Sequence, residues 1–123
     1  MARILIINDS NDSFRRFVDT LKQAAYEVFE VGSGDEALEL SLSLIPDLIL
    51  ISIVLPTSNG LEVAAELRKA DKLNDTKIIL LGYVEPIGID DEPLASLVNG
   101  YVNIESSTSQ LLAFIETQMQ NRS

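Results

Sequence analysis

Apolar residues along the chain alternate between two spacings. Short runs of aliphatic and β-branched residues, typical of strands buried on both faces, occupy residues 4–7, 48–54 and 78–81. Residues 26–31 alternate apolar and acidic side chains, as an edge strand does, and residues 101–102 form a brief fifth apolar run. The pattern therefore predicts five strands.

Helical spacing follows each predicted strand. The apolar positions that recur three and four residues apart are Phe14, Phe17, Val18 and Leu21; Ala37, Leu38, Leu42 and Leu44; Leu61, Ala64, Ala65 and Leu67; Leu94, Leu97 and Val98; and Leu111, Leu112, Ile115 and Met119. Ser33 with Glu36 and Ser107 with Gln110 form capping boxes at the second and last helices. Pro93 suits the first turn of the fourth helix.

The order strand–helix, repeated five times with short connections, fixes the fold class. Right-handed crossovers between such units give a parallel sheet that is covered by helices on both faces. We predict a single-domain, doubly wound (βα)5 α/β fold over residues 1–123. The runs at 4–7, 48–54 and 78–81 form the centre of its sheet, and residues 27–31 form an edge.

Composition narrows the classes of function. The 123 residues include no Cys and no His, which excludes disulfides, a thiolate site and a histidine general base. Nineteen acids against nine bases give a net charge of −10, which repels phosphate backbones and anionic lipid, so we expect neither a nucleic-acid nor a membrane partner. The apolar runs are too short for a signal peptide or a membrane span, so we expect a cytoplasmic protein.

A functional site is expected beyond the carboxyl ends of the strands, because ligands of open α/β sheets bind in that crevice. The positions that follow the predicted strands there are Asn8 and Asp9, residues 32–34, Ser52, Gly82 and Tyr83, and residues 103–105.

Six sequence segments, taken together, resemble one known family. They are ILIIND at 4–9, GDEAL at 34–38, PDLILIS at 46–52, LP at 55–56, NGLE at 59–62 and GYV at 100–102. In order and spacing they are similar to the receiver domains of response regulators, the CheY-like family, over nearly the whole chain. The resemblance implies a flavodoxin-like five-stranded sheet of order 2-1-3-4-5.

The resemblance also implies a chemistry. Receivers accept a phosphoryl group on an aspartate at the end of the third strand. Two acids at the end of the first strand help to hold Mg²⁺, which prefers oxygen ligands. A Thr or Ser at the end of the fourth strand and a Lys at the end of the fifth contact the phosphoryl group.

This chain departs from the family at four of those five groups. Ser52 stands at the acceptor position, and Asn8 replaces the first acid, so that only Asp9 remains as a residual candidate metal ligand. Gly82 stands at the hydroxyl position and Ile104 at the Lys position. We therefore expect no catalytic residue, no cofactor and weak or absent Mg²⁺ binding, and we interpret the chain as a pseudo-receiver.

Tyr101 corresponds to the aromatic residue that rotates inward in receivers when the fourth-strand hydroxyl engages phosphate. Because Gly82 supplies no hydroxyl, we expect Tyr101 to keep one half-buried orientation. The sequence then predicts a non-enzymatic response regulator that signals in two-component systems through phosphorylation-independent protein–protein interaction.

The partner surface is indicated by charge. Residues 78–121 contain six acids and no Lys or Arg. They include the fourth predicted helix, the fifth predicted strand and the fifth predicted helix, which by the resemblance form the face that receivers commonly present. A basic signalling protein is the expected partner, a solvated surface is the alternative, and a homodimer stays open.

Three other functions remain as alternatives. A conventional Mg²⁺-dependent acceptor would need a displaced acid, and the candidates are Asp9 and Asp47, although Asp47 is expected at the opposite end of the sheet. A flavodoxin-like flavin carrier has the same fold. Residues 32–37 match the dinucleotide pattern GxGxxA, but the acid that this pattern requires after the next strand is absent.

Overall fold

The computed structural model describes residues 2–8, 15–52, 60–82, 98–103 and 107–120. Its strands are β1 (Arg3–Ile7), β2 (Glu27–Val31), β3 (Leu48–Ser52), β4 (Lys77–Gly82) and β5 (Gly100–Asn103). Its helices are α1 (Arg15–Gln23), α2 (Gly34–Leu44), α3 (Gly60–Arg68) and α4 (Thr108–Gln120), with a 3-10 turn at Asp71–Leu73. The start of the fourth predicted helix, at Pro93, lies outside the described residues.

The five strands form one parallel sheet of order β2-β1-β3-β4-β5. The three predicted central strands are central, and β2 lies at the edge, which confirms the fold predicted from the apolar runs. The aliphatic side chains of residues 4–7, 48–51 and 78–81 are at most 1% exposed. Each such burial contributes about 1.5–3 kcal/mol, so these strands dominate the core.

Helices cover both faces of the sheet. Phe17, Val18 and Leu21 of α1 pack with α4 on the face that carries Ile4. On the other face α2 and α3 pack against Leu5. Among the described residues, no helix has the length and apolar character that a bilayer crossing requires.

Both capping boxes predicted from the sequence begin helices. The Ser33 hydroxyl accepts a hydrogen bond from the Glu36 amide at 3.3 Å. At α4 the pairing is reciprocal, because Gln110 N donates to Ser107 Oγ and Ser107 N donates to Gln110 Oε1, each at 3.1 Å. These bonds satisfy amide groups that have no partner within the helix.

Asn99 links the start of β5 to α3. Its side-chain oxygen accepts hydrogen bonds from Ile78 N at 2.8 Å and from the Arg68 guanidinium at 2.9 Å. Arg68 also donates to Leu73 O at 2.9 Å, and burial lowers the pKa of its guanidinium. The Arg68 side chain is therefore directed at the amino end of β4 and away from bulk solvent.

The inward face of α2 agrees with the sequence prediction in part. Of the predicted apolar positions, Ala37 is buried and half-buried Leu38 packs against the same cluster, whereas Leu42 is 38% exposed. Ser41, which is four residues after Ala37 and therefore on the same side of the helix, is buried instead. The Ser41 hydroxyl is fully buried and has no hydrogen-bond partner among the residues that the structure describes.

Replacing Ser41 tests this burial. We expect Ser41→Ala to raise the free energy of unfolding by about 1 kcal/mol, because it removes a desolvated hydroxyl that makes no compensating bond. Urea denaturation measures the change. Exposed Ser43 on the same helix is the matched control, and Ser43→Ala should gain only the helix-propensity difference of about 0.5 kcal/mol. Equal gains in both variants would contradict the assignment.

Candidate functional site

Three of the predicted site residues lie at the carboxyl edge of the sheet. Ser52 is the last residue of β3 and Gly82 the last of β4, whereas Asn8 directly follows β1. The register pairs Ile7 with Ile51, and Ser52 with Leu81 next to Gly82, so the three positions are adjacent across neighbouring strands. Asp9 and Ile104, the other two positions, lie outside the described residues.

Asn8 and Ser52 are held close to the core. The Asn8 amide donates to Val31 O at 2.9 Å, which extends the β1–β2 ladder by one residue. Its side-chain oxygen is enclosed, and Ser52 is only 8% exposed. Any group that occupies these positions is therefore largely withdrawn from water.

Tyr101 lies in the middle of β5, opposite Leu80. It is half-buried and packs on the sheet face that α2 and α3 cover. This position agrees with the half-buried aromatic predicted from the sequence. Whether the ring keeps that single orientation is a separate prediction.

The described residues do not fit the magnesium site of receivers. At this edge Asn8 supplies an amide oxygen and Ser52 a hydroxyl, which are both neutral, whereas Mg²⁺ in proteins is held through one or two carboxylates. Within the described ranges no group of three or more acidic, His or Cys side chains is placed to hold a metal. Asp9, the residual candidate ligand, lies outside those ranges.

Asp47, the other acid considered as a displaced acceptor, lies at the opposite edge of the sheet. Its carboxylate accepts a hydrogen bond from Arg3 N at 2.8 Å, and its own amide donates to Arg3 O at 2.9 Å. Its carbonyl also accepts from Lys77 N at 3.1 Å. Asp47 therefore anchors the amino ends of three strands, while Ser52 ends the same strand at the carboxyl edge.

The GxGxxA turn is used to start α2. Ser33, in extended backbone conformation, is the N-cap, and its carbonyl accepts from Ala37 N at 3.0 Å. That bond is the first regular bond of the helix, and the Ser33 hydroxyl in addition accepts from Glu36 N, an amide that has no partner within the helix. The turn thus has a structural explanation that needs no phosphate ligand.

The structure shows a groove that the sequence did not indicate. It lies between α2 and α3 and has a volume of about 540 Å³. Leu38, Val63 and Leu67 line its floor, and Asp35, Glu62 and Glu66 line its rim. The signal in the sequence is weak, because the two helices are separated by a strand and only tertiary packing brings them side by side.

Comparisons with known proteins agree with this geometry. The sequence profile of the response regulator receiver domain matches residues 4–116. Over 76 residues the chain is 36% identical to the polar-differentiation response regulator DivK of Brucella anthropi, a match that covers 62% of this chain and 62% of that protein. The match thus spans less than two thirds of that relative's length.

Solved structures share the fold along nearly the whole chain. The chemotaxis protein CheY4 of Vibrio cholerae superposes with a TM-score of 0.86 at 25% identity, over 95% of this chain and 98% of that one. A two-component response regulator from Clostridium difficile superposes with a TM-score of 0.85 at 19% identity, over 98% of both chains. The chain therefore belongs to the response regulator receiver domain family, whose members are signalling modules of two-component systems that act through protein partners.

Proposed function

We propose that this chain is a pseudo-receiver, which does not accept a phosphoryl group and signals by binding a protein partner. One observation carries the proposal: Ser52 is the last residue of β3, the place where receivers carry the acceptor aspartate, and it is 8% exposed. A serine hydroxyl is a weak nucleophile unless a neighbouring base removes its proton, and the chain contains no His.

The surrounding positions support the same proposal. A transferred phosphoryl group carries negative charge that must be stabilised where it forms, by cations or hydrogen-bond donors. Asn8 offers an amide in place of a carboxylate, Gly82 has no side chain to donate a hydrogen bond, and Ile104 stands at the position of the family's Lys. The four replacements are mutually consistent, since a site without an acidic cluster has no need of the Lys counter-charge.

Signalling in this proposal depends on surface recognition. The net charge of −10 favours a partner with a basic surface and opposes binding to phosphate backbones and anionic membranes. Of the six acids in residues 78–121, Glu116 on α4 lies in the described part of the chain, and it is exposed. A cytoplasmic location and a partner on that acidic face remain predictions, and self-association remains open.

Direct phosphorylation tests the proposal. Wild-type protein incubated with Mg²⁺ and a small-molecule phosphodonor should show no mass gain of a phosphoryl group, whereas a conventional receiver treated in parallel should. Ser52→Asp alone should also stay unlabelled, because Asn8, Gly82 and Ile104 are unchanged. Intact-mass spectrometry measures both proteins. A covalent adduct on the wild type, or efficient labelling of the single variant, would show that the site retains phosphotransfer chemistry.

A carboxylate at position 52 should also cost stability in a pH-dependent way. Desolvation raises the pKa of a buried carboxyl above its unfolded value of about 3.9, so Ser52→Asp should lose about 1–3 kcal/mol at pH 7. That loss is absent below the unfolded pKa and grows as pH rises through the folded pKa. Chemical denaturation at pH 3.5, 5 and 7 measures it.

Ser52→Asn is the matched control for that experiment, because it is close to Asp in size and carries no charge. Its difference from the wild type should not vary with pH. If both variants have the same stability at pH 7, the site accommodates a carboxylate without penalty. That result would contradict our interpretation that the carboxyl edge of the sheet has no positive group beside position 52 to balance a carboxylate.

A further inference from the structure

The groove between α2 and α3 combines an apolar floor with an acidic rim. Val63 is 5% exposed and Leu67 fully buried, and half-buried Leu38 faces them from α2. Asp35, Glu62 and Glu66 stand exposed around this floor. A concave apolar surface of this volume accepts large side chains, while the rim selects their charge.

An apolar stripe continues from the groove along α2. Leu38 and Leu42 are four residues apart and lie on one face of α2, and Ile45 follows directly after the helix as its C-cap, with a left-handed backbone conformation. Leu42 and Ile45 are 38% and 42% exposed and are the exposed large hydrophobic residues in the described part of the chain. The seven residue steps from Leu38 to Ile45 correspond to about two turns, roughly 10 Å of helix length, which suits a partner helix lying along this surface.

The charged residues on α2 and α3 indicate which kind of partner the groove attracts. The helix α2 carries three acids and no base. On α3 the guanidinium of Arg68 is committed to Leu73 O and Asn99 Oδ1, away from the groove. Lys69 pairs with Glu66 at 3.1 Å and lies beyond the carboxyl end of α3, so the rim around the first turns of both helices stays acidic.

From these features we infer that the α2–α3 groove is a docking site for an amphipathic helix of a partner protein, with apolar residues on one face and Lys or Arg beside them. A second copy of this chain fits less well, because a two-fold interface would place Asp35, Glu62 and Glu66 against the same acids of its mate. This inference uses the proposed function only in taking protein recognition as the output, since the groove does not depend on Ser52.

A synthetic helical peptide serves as the probe. It carries Leu at three positions spaced i, i+4 and i+7 with Lys beside them, and a second peptide has Glu in place of each Lys. Titration of isotope-labelled protein, followed by NMR, should give saturable shifts along α2 and α3 with the Lys peptide. The Glu peptide should bind at least about tenfold more weakly, because it repels the rim.

Two double variants with the same change in net charge locate the site. Glu62→Lys/Glu66→Lys should weaken binding of the Lys peptide about tenfold, because it replaces attraction at the rim by repulsion. Asp19→Lys/Glu116→Lys reverses two exposed acids on α1 and α4, which cover the opposite face of the sheet, and should change the affinity less than about twofold, through long-range electrostatics alone. Leu42→Ser, at an exposed position, should weaken binding several-fold without unfolding the chain.

Any of four results would overturn the docking site. They are the absence of shifts, shifts centred on α4, equal binding of the Glu peptide, and equal losses in the two double variants. The phosphorylation assay tests the proposed function independently of the peptide titration. A phosphoryl adduct on the wild type would contradict the proposed function without affecting the evidence for the docking site. Conversely, an unlabelled protein that binds no peptide would retain the proposed function and lose only this surface.

Discussion

The burial of β1, β3 and β4 on both faces constrains everything else in the structure. A strand that is apolar at every position cannot leave either face in water, so helices must cover both sides of the sheet. Covering both sides with short connections requires parallel strands joined by crossover helices. Parallel strands in turn bring their carboxyl ends to one edge, which is why Asn8, Ser52 and Gly82 become neighbours although 74 residues separate the first from the last.

Because the core lies between the sheet and its helices, the residues at the strand ends contribute little to it. The apolar layers around Ile51 and Leu81 therefore place little constraint on which side chains stand at Ser52 and Gly82. The chain superposes on the chemotaxis protein CheY4 of Vibrio cholerae with a TM-score of 0.86. Such a likeness establishes the fold and does not decide which chemistry the strand ends perform, so the proposed loss of phosphotransfer depends on the residues at those positions.

The sequence predicted what strong local signals specify. Uninterrupted apolar runs identified the central strands, and Ser33 and Ser107 marked two helix starts through bonds that span three residues. The inward face of α2 was predicted only in part: Ala37 and Leu38 pack toward the core, whereas Leu42 is exposed and polar Ser41 is buried, a choice that only tertiary contact makes. The Arg68–Asn99 hydrogen bond and the groove could not be predicted for a related reason. Arg68 and Asn99 lie 31 residues apart, the two sides of the groove lie about 25 residues apart, and neither set carries a common motif.

At the candidate site, the identities of the residues could be read from the sequence, whereas the burial of Ser52 became evident only from the structure.

The apolar residues of the groove and Tyr101 pack in the same buried cluster, which connects the proposed docking site to β5. Leu38 and Tyr101 pack on the same buried cluster, which includes Val63, Leu67 and Leu80. A partner bound in the proposed groove would therefore contact the cluster against which Tyr101 also packs. Such contact moves Tyr101 only if the partner binds two arrangements of that layer with different affinity. If peptide-induced NMR shifts stop at α2 and α3, the chain is a scaffold with one state, whereas shifts that reach β5 would reveal a second state that needs no phosphate.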